Sequence, residues 1–197
     1  MPRQNRVQPT GEILAHPARG AFMGNRGILL DADGQLGPAR WRHKAWVTCV
    51  LRFKNRRRAL MQPGHYTELF FHDEAVALAA GHRPCGECRR ADYLAYRAAV
   101  GAQGTVDVLD AQMHAERAVL RRAKQNRHVM QLADLPDGAF ILQDETPCLV
   151  VGASLYPFSP EGYGPARPRP TSGKVTVLTP PTSIKALNNG YKALIRL

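Results

Sequence analysis

Phe70-Phe71-His72-Asp73-Glu74-Ala75-Val76-Ala77-Leu78-Ala79-Ala80-Gly81-His82-Arg83-Pro84-Cys85-Gly86-Glu87-Cys88-Arg89-Arg90 joins a strand end, a capped helix and a thiol turn in one run. Tyr66 to Phe71 follows the Pro63-Gly64 turn and reads as a strand. His72 or Asp73 caps a short helix through Ala80, and Gly81 ends it. Cys85 and Cys88 then sit three apart on a turn closed by Gly86, and Arg89 to Val100 reads as a second helix. Upstream, Ala45 to Phe53 is β-branched and aromatic, the strongest strand signal in the chain. Lys54 to Arg58 is a basic turn, with a short strand expected near Ala59 to Met61. Downstream, a helix is expected from Val106 to Arg127, with His114, Arg117, Arg121, Lys124 and His128 lining one face at spacings of three or four. Leu135-Pro136-Asp137-Gly138 closes the helical region. Short strands follow at Ala139 to Gln143, Cys148 to Gly152 and Lys174 to Leu178, with a Pro/Gly-rich loop at Ser159 to Gly173 and a last helix from Ile184 to Asn189.

The expected architecture is α+β: a small mixed sheet with a zinc knuckle and two to three helices, then a β-rich C-terminal part. Residues 1–134 hold the knuckle and a basic N-terminal arm, and residues 135–197 form the β-rich part sharing the same core. A chain of 197 residues with 44% hydrophobic content is long enough for one such core. Lys and Arg number 27 against 16 Asp and Glu, a net charge of +11, and a basic chain of this kind most often meets a polyanion such as DNA or RNA. No apolar run approaches the roughly 20 residues that span a bilayer, and the N-terminus lacks the apolar core of a secretory signal. A cytoplasmic protein with reduced thiols and no membrane partner is expected.

A C-x2-C turn supplies two adjacent corners of a tetrahedral zinc site at low entropic cost. Cys49, on the upstream strand, leads as the third ligand; the competing reading is a small buried residue among Val47, Val50 and Leu51. His65, His72, His82 and His114 compete for the fourth corner, with His114 placed in the leading set. Cys148 lies in an apolar strand and reads as core. The run from about residue 66 to residue 90, with its aromatic strand end, acidic helix start, Ala79-Ala80-Gly81, Arg83-Pro84-Cys85 and Cys88-Arg89, resembles the zinc-binding segment of Ada-type DNA repair proteins. The resemblance implies zinc held in part by Cys85 and Cys88, with the helix packed beside it, and a role in repair or processing of DNA. That family completes its site with an upstream cysteine pair, one of which accepts a methyl group. Here Cys49 alone stands upstream.

Arg56, Arg57 and Arg58 in a turn, Arg89 and Arg90 beside the knuckle, and Arg117, Arg121 and Lys124 on the long helix are the expected phosphate contacts. The rival expectation is an enzyme acting on nucleic acid. In its deaminase-like form Cys85, Cys88 and His114 hold zinc with one position open, and Glu116 or Glu87 acts as the base; Cys49 is a further catalytic candidate. In its nuclease form Glu68, Asp73 and Glu74 gather a divalent metal. A third expectation is a protein-interaction module stapled by zinc. No phosphate-binding loop, nucleophile elbow or H-E-x-x-H motif is present.

Overall fold

The computed structural model describes residues 1–55, 60–119 and 124–197. Arg56, Arg57, Arg58, Arg121 and part of the strand expected near Ala59 to Met61 therefore lie outside the described residues. The N-terminal sheet contains β1 (Gln4–Val7), β2 (Ile13–Ala15), β3 (Phe22–Asn25), β4 (Val47–Cys49), β5 (Leu69–Phe71) and β6 (Arg83–Pro84). Its spatial order is β2-β1-β5-β3-β4-β6. It is a mixed sheet, because β1 runs parallel to β5 and β4 parallel to β6 while the other neighbours are antiparallel.

Helix α1 (Glu74–Ala79) bridges β5 and β6, and every residue in it is buried. Asp73 caps it by accepting from the Val76 N–H at 2.9 Å. Gly81 ends it at φ +82°, a left-handed conformation that suits glycine, and a Cβ there would meet Arg117 Cδ at 2.5 Å. Helices α2 (Arg90–Val100) and α3 (Val106–Arg117) follow.

Helix α3 stops ten residues short of the expected end at Arg127. Ala118 leaves helical geometry and bridges to Gln125, while the Asn126 N–H donates to the Arg117 carbonyl at 2.9 Å. This return corrects the expected basic face. Arg117 points into the protein with 0% exposure, Lys124 is exposed beyond the helix, and His128 begins a strand. Regular spacing fixes a face only while the helix lasts.

The C-terminal sheet is antiparallel. It comprises β7 (His128–Gln131), β8 (Phe140–Gln143), β9 (Thr146–Val151), β10 (Ser154–Ser159), β11 (Gly162–Tyr163), β12 (Arg167–Pro168) and β13 (Lys174–Val177). The order is β11-β10-β9-β8-β13-β7, with β12 also paired to β10. The stretch expected to loop from Ser159 to Gly173 thus contributes two short strands. Helix α4 (Pro181–Asn188) completes the fold, which is α+β with a strand-rich C-terminal part. Both sheets feed one apolar cluster: Val7, Leu69, Phe71 and Val76 meet Phe140, Leu149, Phe158 and Leu178. Among the described residues, no helix is long and apolar enough to cross a membrane.

Candidate metal centre

Cys49 and Cys85 meet because β4 and β6 run side by side in parallel, with Thr48 opposite Pro84. The Cys85 N–H donates to the Thr48 carbonyl at 2.9 Å, which sets the first thiol of the turn beside the end of β4. The turn returns through the Arg89 N–H, bonded to the Cys85 carbonyl at 3.1 Å, and presents Cys88 on the same side. The three sulfur atoms lie within 4.8 Å of one another, and all three residues are half-buried. Three clustered thiols are a soft donor set suited to zinc or another thiophilic metal. These cysteines lie close enough to hold a metal ion.

The sulfur atoms are electronically unequal. A hydrogen bond from the Cys49 thiol, helped by backbone N–H groups of Cys88 and Glu87, outweighs burial and draws the Cys85 thiol down to about 5. Cys49, as the donor of that bond and itself buried, is pushed far up. Burial also raises Cys88, against a hydrogen bond from the Val50 backbone. Cys85 is thus the sulfur of the three that its neighbours favour as a thiolate.

Among the described residues, no fourth cysteine, histidine or carboxylate joins the cluster. This corrects the placement of His114 in the ligand set. Its ring packs edge-on to Trp41 at 4.4 Å and to Trp46 at 6.0 Å, so α3 carries it to the indoles instead. His82 is 0% exposed and faces Arg26, with Arg26 Nε 3.4 Å from its Nε2. His72 Nε2 donates to the Arg196 carbonyl at 3.1 Å, and His65 is exposed after the Gln62 turn. Cys148, 1% exposed, is core.

A cleft of about 560 Å³ opens beside the thiols. Cys49, Cys85 and Cys88 line it together with Met23, Asn25, Leu51, Phe53, Tyr66, Glu68 and Glu87. Glu68 is 1% exposed, and its carboxylate accepts from the Met61 N–H at 2.8 Å. Glu116 is elsewhere, which corrects its expected role as a base at the metal. Its two oxygens accept from Thr182 N at 2.8 Å and Thr182 Oγ1 at 2.6 Å, fixing the first turn of α4. The expected trio of carboxylates is also divided: Asp73 is the α1 cap, and Glu74 pairs with Arg89 at 2.8 Å.

The positions of the expected phosphate contacts are mixed. Arg90 and Lys124 are exposed. Arg89 is not: it is 4% exposed and ion-paired to Glu74 and Asp92, both at 2.8 Å. Burial opposes its charge, but Glu74 and its other neighbours outweigh burial and raise its pKa. Arg89 and Arg117 are therefore internal cations, and the expectation that they face a polyanion is corrected. The sequence reading missed Asn25, Phe53 and Tyr66 as cleft residues, because strand and loop patterns do not say which side chains share a cavity. No family model matches the chain, and no curated protein or solved structure does either.

Proposed function

We propose that the protein is a zinc-thiolate protein that binds nucleic acid. The observation that carries the reading is the convergence of Cys49, Cys85 and Cys88 from two segments onto one point. Zinc suits the donor set because it takes thiolates in a tetrahedron and has no redox demand that reduced cysteines must meet. Cys49 and the turn from Cys85 to Cys88 would hold it. A repair or processing role on DNA or RNA rests on the resemblance of residues 66–90 to the Ada-type segment alone, which no family model backs.

Charge supports the nucleic-acid partner. Among the described residues the buried acidic side chains are Glu68, Asp73, Glu74 and Asp110, and the buried basic ones are Arg26, Arg83, Arg89 and Arg117. These cancel four against four, so the whole surplus of +11 belongs to the rest of the chain. Arg42, Lys44, Arg52, Lys54 and Arg90 are exposed, and no carboxylate pairs with them among the described ion pairs. Unpaired surface cations bind phosphate with release of counterions.

A second reading is favoured by the cleft and by the three-donor set. Zinc with three protein donors keeps an exchangeable position, which is where it supplies Lewis-acid chemistry. Glu68, held by the Met61 N–H in the wall of that cleft, is then the side chain placed to exchange a proton with a bound substrate. This is hydrolysis of a nucleic-acid group, in place of binding alone.

Metal analysis of the purified protein should find one zinc per chain, and Cys85→Ser should lose it. DNA and RNA binding should weaken linearly in log–log form as salt rises, with a slope of about −0.9 per duplex phosphate contacted. A flat salt response would remove the nucleic-acid reading while leaving the metal intact. Labelled DNA and RNA incubated with the protein and with Glu68→Gln separate the second reading: intact substrate in both reactions defeats it.

A further inference from the structure

Arg26 and Arg117 lie inside the protein, 2% and 0% exposed, and no carboxylate is ion-paired to either among the described residues. Residues 56–59 and 120–123, outside the described set, contain no Asp or Glu. Nearby acids are committed elsewhere: Asp110 binds Arg83 through both oxygens at 2.7 Å, and Glu116 binds Thr182. The two guanidinium groups share one indole, with their carbons 4.3 Å and 4.2 Å from the Trp46 ring centroid.

Their remaining contacts only partly compensate. Arg26 reaches the Gly11 carbonyl at 3.2 Å and the Ala80 carbonyl and His82 Nε2 at 3.4 Å. Arg117 donates to the Gly81 and Lys44 carbonyls, and its buried Nε has no partner. Burial, reinforced by Arg117, pulls Arg26 down to about 9, and burial does the same to Arg117. His82 is held neutral by burial and by both arginines. Stacking on an indole offsets part of the desolvation of such cations, but an unpaired buried charge still favours a counter-ion.

A pocket opens between these side chains, lined by Arg26, Arg40, Trp41, Trp46, Arg117 and Lys124, with no acidic residue in its wall. Its cavity volume is about 10 Å³, close to the least that one water-sized oxygen needs. Arg40 is half-buried and Lys124 exposed, so positive charge continues from the pocket toward solvent.

We propose that this pocket is an anion site that seats one oxygen of a phosphoryl group between Arg26 and Arg117, with Arg40 and Lys124 gripping the rest of the group at the rim. Four cations around one opening favour a dianion over a monoanionic carboxylate. The cavity is too small for the whole tetrahedron, so the body of the ligand stays at its open mouth. The source is free phosphate or a terminal phosphate on a nucleotide chain. The site shares no lining residue with the thiol cleft, so its failure would leave the metal reading untouched.

Trp41 and Trp46 are the two tryptophans of the chain and both line the pocket, so intrinsic fluorescence reports on it directly. The experiment titrates the protein at fixed ionic strength with sodium phosphate, a 5′-phosphorylated dinucleotide, its 5′-hydroxyl counterpart and chloride. A saturable change is expected with the first, the second or both, and none with the last two. Tighter binding of the phosphorylated dinucleotide than of inorganic phosphate assigns the site to nucleic-acid ends; equal or weaker binding assigns it to free phosphate. The double variant Arg40→Gln/Lys124→Gln should bind about ten-fold more weakly or worse. If that variant does not fold, Lys124→Gln alone, at an exposed position, should weaken binding about three-fold. The proposal is overturned if neither phosphate probe gives a saturable change, or if the folded variant binds as the parent does.

Discussion

Arg89→Met tests the internal support of the metal turn. Arg89 follows Cys88 directly, and its guanidinium meets Glu74 at 2.8 Å with side-chain exposures of 2% and 1%. The Glu74 carboxylate also accepts from Tyr191 OH at 2.6 Å and from the Leu194 N–H at 3.0 Å. Methionine keeps much of the aliphatic volume but leaves that carboxylate buried without its cation, which costs about 3–5 kcal/mol. For 197 residues, unfolding entropy near the melting temperature is about 0.4 kcal/mol per kelvin, so Tm should fall by about 7–12 °C. Zinc affinity, read by competition with a chromophoric chelator, should drop about 10- to 100-fold, because the partner that orients the Cys88 turn is gone. Glu74→Gln in the same chain removes the stranded charge and should restore at least half of the lost Tm. A drop below about 2 °C in Arg89→Met, or no recovery in the double variant, would refute the reasoning.

Three further outcomes are expected. Cys49→Ser should abolish stoichiometric zinc by metal analysis, whereas Cys148→Ser, in the core of the second sheet, should retain it. In metal-free protein, mass-spectrometric mapping with iodoacetamide should find Cys85 modified first, with a midpoint near pH 5 in place of its ordinary 9. The sign follows: thiolate stabilisation at Cys85 is complete above pH 9, shrinks as the pH falls and is gone below about 5. Glu116→Gln should lower stability by about 0.5–2 kcal/mol in urea titrations through loss of the α4 cap, with metal content unchanged.

The local chemistry of residues 70–90 was legible in the sequence because it depends on neighbours. Asp73 caps, Gly81 breaks, and the C-x2-C turn closes through its own Arg89 N–H to Cys85 carbonyl bond. Cys49 was legible as a candidate, but its role was open until the parallel pairing of β4 with β6 placed it beside Cys85. The charges were hardest to read. Arg89 and Arg117 look like surface residues in any periodicity argument, because a linear pattern cannot show that Glu74 or an indole waits for them in the interior. Glu116 misled in the same way: its partner Thr182 is 66 residues away.

The bonds from Tyr191 and Leu194 to Glu74 bear on the order in which the chain is made. Tyr191 lies 117 positions after the carboxylate it serves, so α1 and the cysteine turn leave the ribosome long before their brace exists. During synthesis the thiols are presented on a scaffold that still lacks this brace. Firm support of the cysteine turn then waits for the segment that carries Tyr191 and Leu194.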